Sequence, residues 1–333
     1  DPNDEIPMSL VQHELTTLES QDSWIKTMGP WGVDSEFPVR DGEVTIGFAG
    51  ENYREALRFY KRLLDEELLD IESFAQNQGI LQAKAVVDGT PIVGVFTKMA
   101  AFQTVGRDNA GYYMPREERP YTAIAPFEGP FGDRYWYTNV AHRVHPGRFV
   151  ITAENDLPEA AIRWVDNHFD PIEATFWNTR PRDTYEEVEP GLLKAPTEYP
   201  NGWSFPEARH RLSTGASGLV FVDPDWRREE GLDIFEEQWD QRDVLIEDAN
   251  LMLEYTPEDT LNSTILAFTD EERDLLLTYE QDLFSYVSES MARFMVGELD
   301  IESDWDGYLA QLDRLRVDEI RDTYQAAYDR LKN

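Results

Sequence analysis

The segment Ile92-Val93-Gly94-Val95-Phe96 carries no polar side chain, and a strand of that composition belongs in a sheet covered on both faces. Material for such cover stands nearby. From Asn52 to Leu69 the residues Ala56, Leu57, Tyr60, Leu63 and Leu64 recur at helical spacing, with Arg54, Arg58, Lys61, Arg62 and Asp65 mostly on the other side. This pattern predicts an amphipathic helix. The pairs Asp41-Gly42 and Asp88-Gly89 predict tight turns between strands, since both residue types tolerate the left-handed backbone of such turns. Strand-like patterns run from Tyr121 to Pro126 and from Arg148 to Thr152. A helix then opens at Asp156-Leu157-Pro158-Glu159, with Asp156 as N-cap, Pro158 in the first turn, and Ala161, Ile162 and Val165 as its buried stripe. Residues 178–226, rich in Pro and Gly, read as loop. Beyond them Thr269-Asp270-Glu271-Glu272 forms a capping box ahead of the stripe Leu276, Leu283, Val287, Met291 and Phe294, which Gly297 ends. A second helix opens at Ser303-Asp304-Trp305-Asp306 and carries Tyr308, Leu309 and Leu312. A third runs from about Asp318 through Tyr324 and Tyr328. Interleaved strands and helices predict an α/β fold with mixed sheets and a C-terminal helical subdomain.

The chain has 333 residues, enough for two lobes with separate cores. Its 66 acidic residues against 30 basic ones give a formal net charge of −36, spread along the whole length. Such a field repels phosphate backbones and anionic headgroups, so no nucleic acid is expected as a partner. Without cysteine the chain forms neither disulfides nor thiolate metal sites. No run approaches the roughly 18 apolar residues that span a bilayer.

No specific catalytic motif stands out. Gly215-Ala216-Ser217-Gly218 lacks both the Walker lysine and the dinucleotide spacing, and no Gly-x-Ser-x-Gly elbow is present. Among so many acids, carboxylates at almost any spacing arise by chance, so no glycosidase pair is singled out. His142 and His145 have no matching third ligand, and Asp1, Asn3, Asp4 and Glu5 lack the glycine turn of a calcium loop. No catalytic residue, metal or cofactor is expected. The aromatics are more informative. Trp31, Trp136, Tyr137, Trp177, Trp203 and Trp226 fall in predicted loops or element ends, whereas Trp164, Trp239 and Trp305 fall on predicted core stripes. Aromatic faces stack on the apolar faces of sugar rings, while neighbouring polar groups bind the hydroxyls.

Several blocks, in order, resemble a known family. Asp1-Pro2-Asn3-Asp4-Glu5-Ile6-Pro7 is similar to a family segment with four residues missing. Tyr53 to Leu63 followed by Asp70-Ile71-Glu72-Ser73-Phe74-Ala75-Gln76-Asn77 resembles a family helix and the turn after it. Pro146-Gly147-Arg148-Phe149-Val150-Ile151-Thr152, then Pro158 to Trp164, resembles a strand and helix. Phe294-Met295-Val296-Gly297-Glu298-Leu299-Asp300 with Asp304-Trp305-Asp306-Gly307-Tyr308 is the most specific block. Together they resemble the family 1 extracellular solute-binding lipoproteins of ABC-type sugar importers.

The resemblance implies a two-lobe, type 2 periplasmic-binding-protein-like fold with an incomplete N-terminal lobe, the signal peptide and lipid-modified cysteine lying in the part not present. Residues 1–122 would belong to the C-terminal lobe, 123–180 would return to the N-terminal lobe, and 181–333 would complete the C-terminal lobe with a helical clasp. It implies an extracellular, membrane-anchored, monomeric protein that captures a sugar or oligosaccharide and hands it to the permease subunits, without being an enzyme. A carbohydrate-active hydrolase of the cell surface is the alternative. Gly202-Trp203-Ser204-Phe205-Pro206-Glu207-Ala208-Arg209 is similar to a family segment near the cleft, which puts Trp203 and Arg209 first among ligand-binding residues, with Trp136, Tyr137 and Trp177 beside them. Thr97-Lys98 stand where the family commonly has an aromatic. In the full-length protein, Trp203→Ala is expected to weaken sugar binding by about 1–3 kcal/mol, from the apolar area of one aromatic ring. Calorimetry checks this, and unchanged affinity would place Trp203 in the packing core.

Overall fold

Helix α1 (Glu51–Asp65) realises the first amphipathic stripe and buries Tyr53, Ala56, Leu57 and Tyr60. It stops short of Leu69 because Glu67 adopts a left-handed backbone with φ of 58°, and the N–H groups of Leu68 and Leu69 turn back to the Leu63 carbonyl at 2.8 and 3.2 Å. The structure, a computed structural model, describes residues 5–11, 24–98, 100–111, 114, 116–136, 149–170, 173–174, 185–194, 233–235, 240–261 and 265–332. The chain divides into two compact units, Asp1–Val144 with Val244–Asn333, and His145–Asp243.

In the first unit, strand β1 (Ile6–Met8) is followed by a 3-10 helix over Trp24–Trp31. The hairpin β2 (Val39–Arg40) and β3 (Glu43–Val44) turns at Asp41-Gly42 as expected, with φ of 51° and 83°. Helix α2 (Gln78–Ala85) is capped by the Asn77 side chain, which accepts from the Ile80 N–H at 3.0 Å. The second Asp-Gly pair joins β4 (Val86–Val87) to β5 (Thr90–Pro91) in an antiparallel hairpin. Strand β6 (Val93–Val95) lies within the all-apolar run and pairs in parallel with β1, with Ile6 opposite Val93 and Met8 opposite Val95. Gly94 suits this pairing, because a β-carbon there would sit 2.8 Å from the Pro7 carbonyl oxygen. The run is less covered than its composition implies: Val93 is 1% exposed and Val95 40%, as the carboxyl end of the strand leaves the core. Short helices α3 (Phe102–Val105) and α4 (Arg107–Ala110) complete this region. A small core forms from Leu81, Ala85, Val93, Val105 and Ala110.

The expected strand over Tyr121–Pro126 does not form. Two of its carbonyls are taken by guanidinium groups instead, Ala123 by Arg116 at 3.1 Å and Pro126 by Arg134 at 2.6 Å, and Pro126 itself has no N–H to offer a ladder.

The second unit holds α5 (Pro158–Asp166) and a three-stranded sheet ordered β7 (Glu186–Glu189), β8 (Leu192–Lys194), β9 (Asp233–Phe235). Within the expected loop-like region, β7 and β8 therefore form an antiparallel pair that turns at Gly191. Residues 149–152 form no strand. Asp156 is not the N-cap: Leu157 holds that position without a side-chain cap, and Asn155 Oδ1 accepts from the Leu157 N–H at 2.7 Å in the turn before the helix. No α5 residue is buried, and Ile162 and Trp164 are 58% and 52% exposed. The apolar stripe is present, and the Trp164 ring meets the rings of Phe149 and His168, at 6.0 and 4.4 Å.

Chain reversal into the first unit begins with α6 (Asp240–Leu253). The C-terminal helices α7 (Asp270–Val296), α8 (Trp305–Arg314) and α9 (Val317–Lys332) follow the expected boundaries closely. Thr269 and Glu272 form the reciprocal capping box, at 2.8 and 3.3 Å, and Gly297 ends α7 with φ of 79°. These helices close on the chain around residues 33–60. Phe284, Leu283, Phe294 and Ile320 pack in one core with Phe37, Phe48, Tyr53 and Leu57. The Phe37 ring centroid lies 5.1 Å from Tyr324. The Tyr308 hydroxyl donates to the Phe48 carbonyl at 2.9 Å. Gln325 accepts from the Val44 N–H at 2.6 Å and donates to the Gly42 carbonyl at 3.0 Å. Among the described residues no helix is long and apolar enough to cross a membrane.

Phe284→Ala is expected to cost about 3–5 kcal/mol in urea denaturation, since the site is enclosed on all sides. Glu280 supplies a pH test. Burial raises its pKa and the hydrogen bond from Tyr324 opposes that rise, with a net upward shift. A carboxyl raised on folding stabilises the acid side, and this contribution is lost as pH rises from the unfolded carboxyl range through the folded pKa. The stability of Glu280→Gln relative to wild type should therefore be greater at pH 7 than at pH 4, measured by denaturation at both values.

Candidate ligand-binding site

Residues 126–136 form a strap over the 3-10 helix of residues 24–31. The strap doubles back at Gly132, where φ is 85°, with the Gly129 N–H donating to the Asp133 carbonyl at 2.9 Å and the Gly132 N–H to the Gly129 carbonyl at 3.1 Å. Two glycines permit its close approach. A β-carbon on Gly29 would sit 1.7 Å from the Tyr135 carbonyl oxygen, and one on Gly129 would sit 1.5 Å from the Pro30 carbonyl oxygen. Both distances are far inside van der Waals contact, so any larger residue forces the backbones apart. The Tyr135 N–H donates to the Gly29 carbonyl at 3.2 Å, and the Phe127 ring stands edge-on to Trp31 at 5.5 Å.

Trp31 is itself a core residue, 3% exposed, which corrects its placement among loop aromatics. The 3-10 helix turns Trp24, Met28 and Trp31 inward together, and the short, proline-containing segment hid that periodicity. Trp164 is corrected in the opposite direction, being half-exposed rather than in a core stripe. Trp305 is buried as expected.

Two arginines grip the strap. The Arg40 guanidinium lies 4.2 Å from the Tyr135 ring centroid, pairs with the Asp34 carboxylate, and donates to the carbonyls of Val39 at 2.8 Å and Gly32 at 3.2 Å. Burial raises the Asp34 pKa, Arg40 pulls it back, and the neighbouring Asp133 carboxylate adds to the rise. On the other side the Arg134 guanidinium stands 4.3 Å from the Tyr255 ring. The Trp136 N–H donates to the Tyr255 carbonyl at 2.9 Å. Trp136 is thus tied through its own backbone to the chain just beyond α6, and its side chain remains half-buried.

A second polar group gathers where the parallel strands β1 and β6 end. Open α/β sheets place ligand crevices outside the carboxyl ends of their strands. Ser9, Ser73 and Gln76 are all buried there. Gln76 donates to Ser9 Oγ at 2.8 Å and to the Leu10 carbonyl at 2.6 Å. Ser9 donates to Asp70 at 2.7 Å, and the Leu10 N–H donates to Ser73 Oγ at 3.0 Å. Burial alone would raise the Asp70 pKa, but Lys84, Ser9 and the Glu72 N–H outweigh it and hold the carboxyl below its usual range. An aromatic file joins this network to the strap: Phe74 to Trp24 at 4.6 Å, Trp24 to Tyr60 at 5.0 Å, Tyr60 to Trp31 at 6.1 Å, then Phe127.

Of the five residues singled out by sequence, Trp136 is placed as described. Tyr137, Trp177, Trp203 and Arg209 lie outside the described residues, as do Trp226, His142 and His145. Among the described residues no group of three or more His, Asp or Glu is arranged to hold a metal. Sequence reasoning passed over Arg40, Asp34 and the Ser9–Gln76 network, and noted Tyr135 only as part of the aromatic cluster Tyr135-Trp136-Tyr137. The one available signal was the pair of glycines beside Pro130 ahead of an Arg-Tyr-Trp run.

No protein-family model matches the chain. It is 22% identical over 310 residues to the fructooligosaccharide ABC transporter substrate-binding protein FusA of Streptococcus pneumoniae serotype 4, an alignment covering 87% of this chain and 51% of that protein. The chain thus spans about half the length of this relative. The structure of S. pneumoniae FusA in complex with kestose superposes with a TM-score of 0.70 at 20% identity, covering 100% of this chain and 65% of that one. An HMO-binding, ABC-transporter-associated solute-binding protein from Bifidobacterium longum infantis gives 0.72 at 16% identity, covering 99% and 66%. The chain is a homologue of the substrate-binding protein FusA and has the fold of extracellular solute-binding proteins of ABC transporters.

Proposed function

We propose that this chain forms the larger part of an extracellular solute-binding protein that captures an oligosaccharide and delivers it to the permease of an ABC importer. The observation that carries this reading is Trp136, a half-buried indole on a strap whose backbone is tied down on both sides, in a chain homologous to a protein that binds fructooligosaccharide. Trp203, Arg209, Tyr137 and Trp177 complete the proposed ligand-binding set, aromatic rings stacking on sugar faces and Arg209 meeting hydroxyl or carboxylate oxygens.

In this reading the protein is a monomer anchored outside the cell by a lipid-modified N-terminus in its precursor. Residues 1–122 and 181–333 serve one lobe and 123–180 return to the other. Ligand contacts on both lobes shift the population toward a closed form that the permease recognises. The role is binding without turnover, and it needs no general acid, nucleophile or metal.

Calorimetry of the full-length protein with kestose and with other oligosaccharides tests the proposal. Saturable binding of at least one oligosaccharide is expected, weakened by about 1–3 kcal/mol in Trp136→Ala, with no shortened product on chromatography after prolonged incubation. Absence of saturable binding to any oligosaccharide, or sugar cleavage that one carboxylate substitution abolishes, would refute it.

A further inference from the structure

We propose that Arg40 and Tyr135 act as a positioning clamp for Trp136: the guanidinium holds the Tyr135 ring against the body of the first unit, and this sets where the neighbouring indole meets a ligand. The inference rests on the oligosaccharide-binding reading above and extends it to residues that touch no sugar.

Consecutive residues of the strap have separate partners. Asp133 lies beside Gly32, where a β-carbon would come within 2.9 Å of its Oδ2. The Arg134 guanidinium faces Tyr255, 4.3 Å from its ring, and the Tyr135 ring lies 4.2 Å from Arg40. Trp136 follows with its N–H on the Tyr255 carbonyl. Of the aromatic run Tyr135-Trp136-Tyr137, Tyr135 is therefore engaged inside the unit, and Trp136 is left to meet a ligand.

Arg40 is well suited to this task because its own position is determined from several directions. Its guanidinium engages Asp34 and the carbonyls of Val39 and Gly32 at once. A planar fork can make these bonds in its plane while offering its face to an aromatic ring, which an ammonium cannot do. Arg40 also sits in the β2–β3 hairpin, opposite Glu43. That hairpin is fastened to α9 through Gln325, which bonds Val44 and Gly42. A continuous set of contacts thus runs from α9 through the hairpin and Arg40 to the residue next to Trp136.

The test compares Tyr135→Leu, Tyr135→Phe, Arg40→Lys and Trp136→Ala in the full-length protein, using kestose calorimetry and thermal melting. Tyr135→Leu leaves the Asp34–Arg40 pair intact and removes the ring. It should bind roughly five- to twentyfold more weakly, the scale of one guanidinium–ring contact, with a melting temperature close to wild type. Tyr135→Phe keeps the ring and should bind as wild type. Arg40→Lys keeps the charge beside Asp34 without the planar face, and its loss should be intermediate. Wild-type affinity in both Tyr135→Leu and Arg40→Lys would overturn the clamp. So would a lowered melting temperature with unchanged affinity, which assigns the pair a structural role only. Should Tyr135→Leu fail to fold, the contrast between Tyr135→Phe and Arg40→Lys decides alone, equal affinities counting against the proposal. If wild type binds kestose and Trp136→Ala binds it equally well, the clamp has nothing to position and falls while the binding function stands. If wild type binds no oligosaccharide, both fall together.

Discussion

Residues 33–60 and the helices beyond residue 269 make one core, and the rest of the first unit depends on that closure. Phe37 and Phe48 are fully buried, yet the rings around them include Phe284 and Tyr324, more than 200 positions away in the chain. The Tyr308 hydroxyl reaches the Phe48 carbonyl across the same interface, and without it a buried acceptor would lose its partner. Closure of this kind orders a long intervening stretch of chain, a cost in entropy that only extensive apolar burial offsets. The burial here is extensive, drawing on Leu57, Leu283, Phe294, Ile320 and their neighbours.

The strap uses that core as its base. Gly29 and Gly129 let two backbones approach more closely than any side chain would permit, and the Phe127 ring seals the contact against Trp31. Charge then does what apolar packing does elsewhere. In a chain with a net charge of −36, two guanidinium groups each satisfy several acceptors. Arg40 serves Asp34, two carbonyls and a ring. Arg58 bridges Glu51 and Glu55 on its own helix and Glu302 ahead of α8. The Arg58 contacts are largely exposed, so they guide geometry more than they add stability. The Arg40 contacts are sheltered, and Asp34 would be costly to bury without them.

Local signals in the chain were read well wherever the physics is local. The Asp41-Gly42 and Asp88-Gly89 turns need only two residues with left-handed backbones, and both formed. The Thr269–Glu272 box and Gly297 stop are satisfied within four residues, and α7 begins and ends on them. Misreadings came where a pattern fitted more than one outcome. The Tyr121–Pro126 pattern suits a strand, but Arg116 and Arg134 claimed its carbonyls. The α5 stripe suits a core, but no α5 residue is buried. Trp31 looked like a loop aromatic because a 3-10 helix that contains Gly29-Pro30 shows no 3.6-residue period.

For the candidate site, composition set the expectation of no nucleic-acid partner, no specific catalytic motif stood out, and Trp136 was marked as an aromatic among turn residues, while the solute-binding class rested on the resemblance of ordered sequence blocks. Amphipathic periods, caps and Asp-Gly turns likewise determined the helices and hairpins, because each is stabilised by neighbours along the chain. Tertiary structure decided which aromatics face inward, that Arg40 meets Tyr135, and that Trp136 is tied to Tyr255. Those contacts join residues 95 and 119 positions apart in the numbering, and no local propensity encodes a partner at such range, which only the closed core brings within bonding distance.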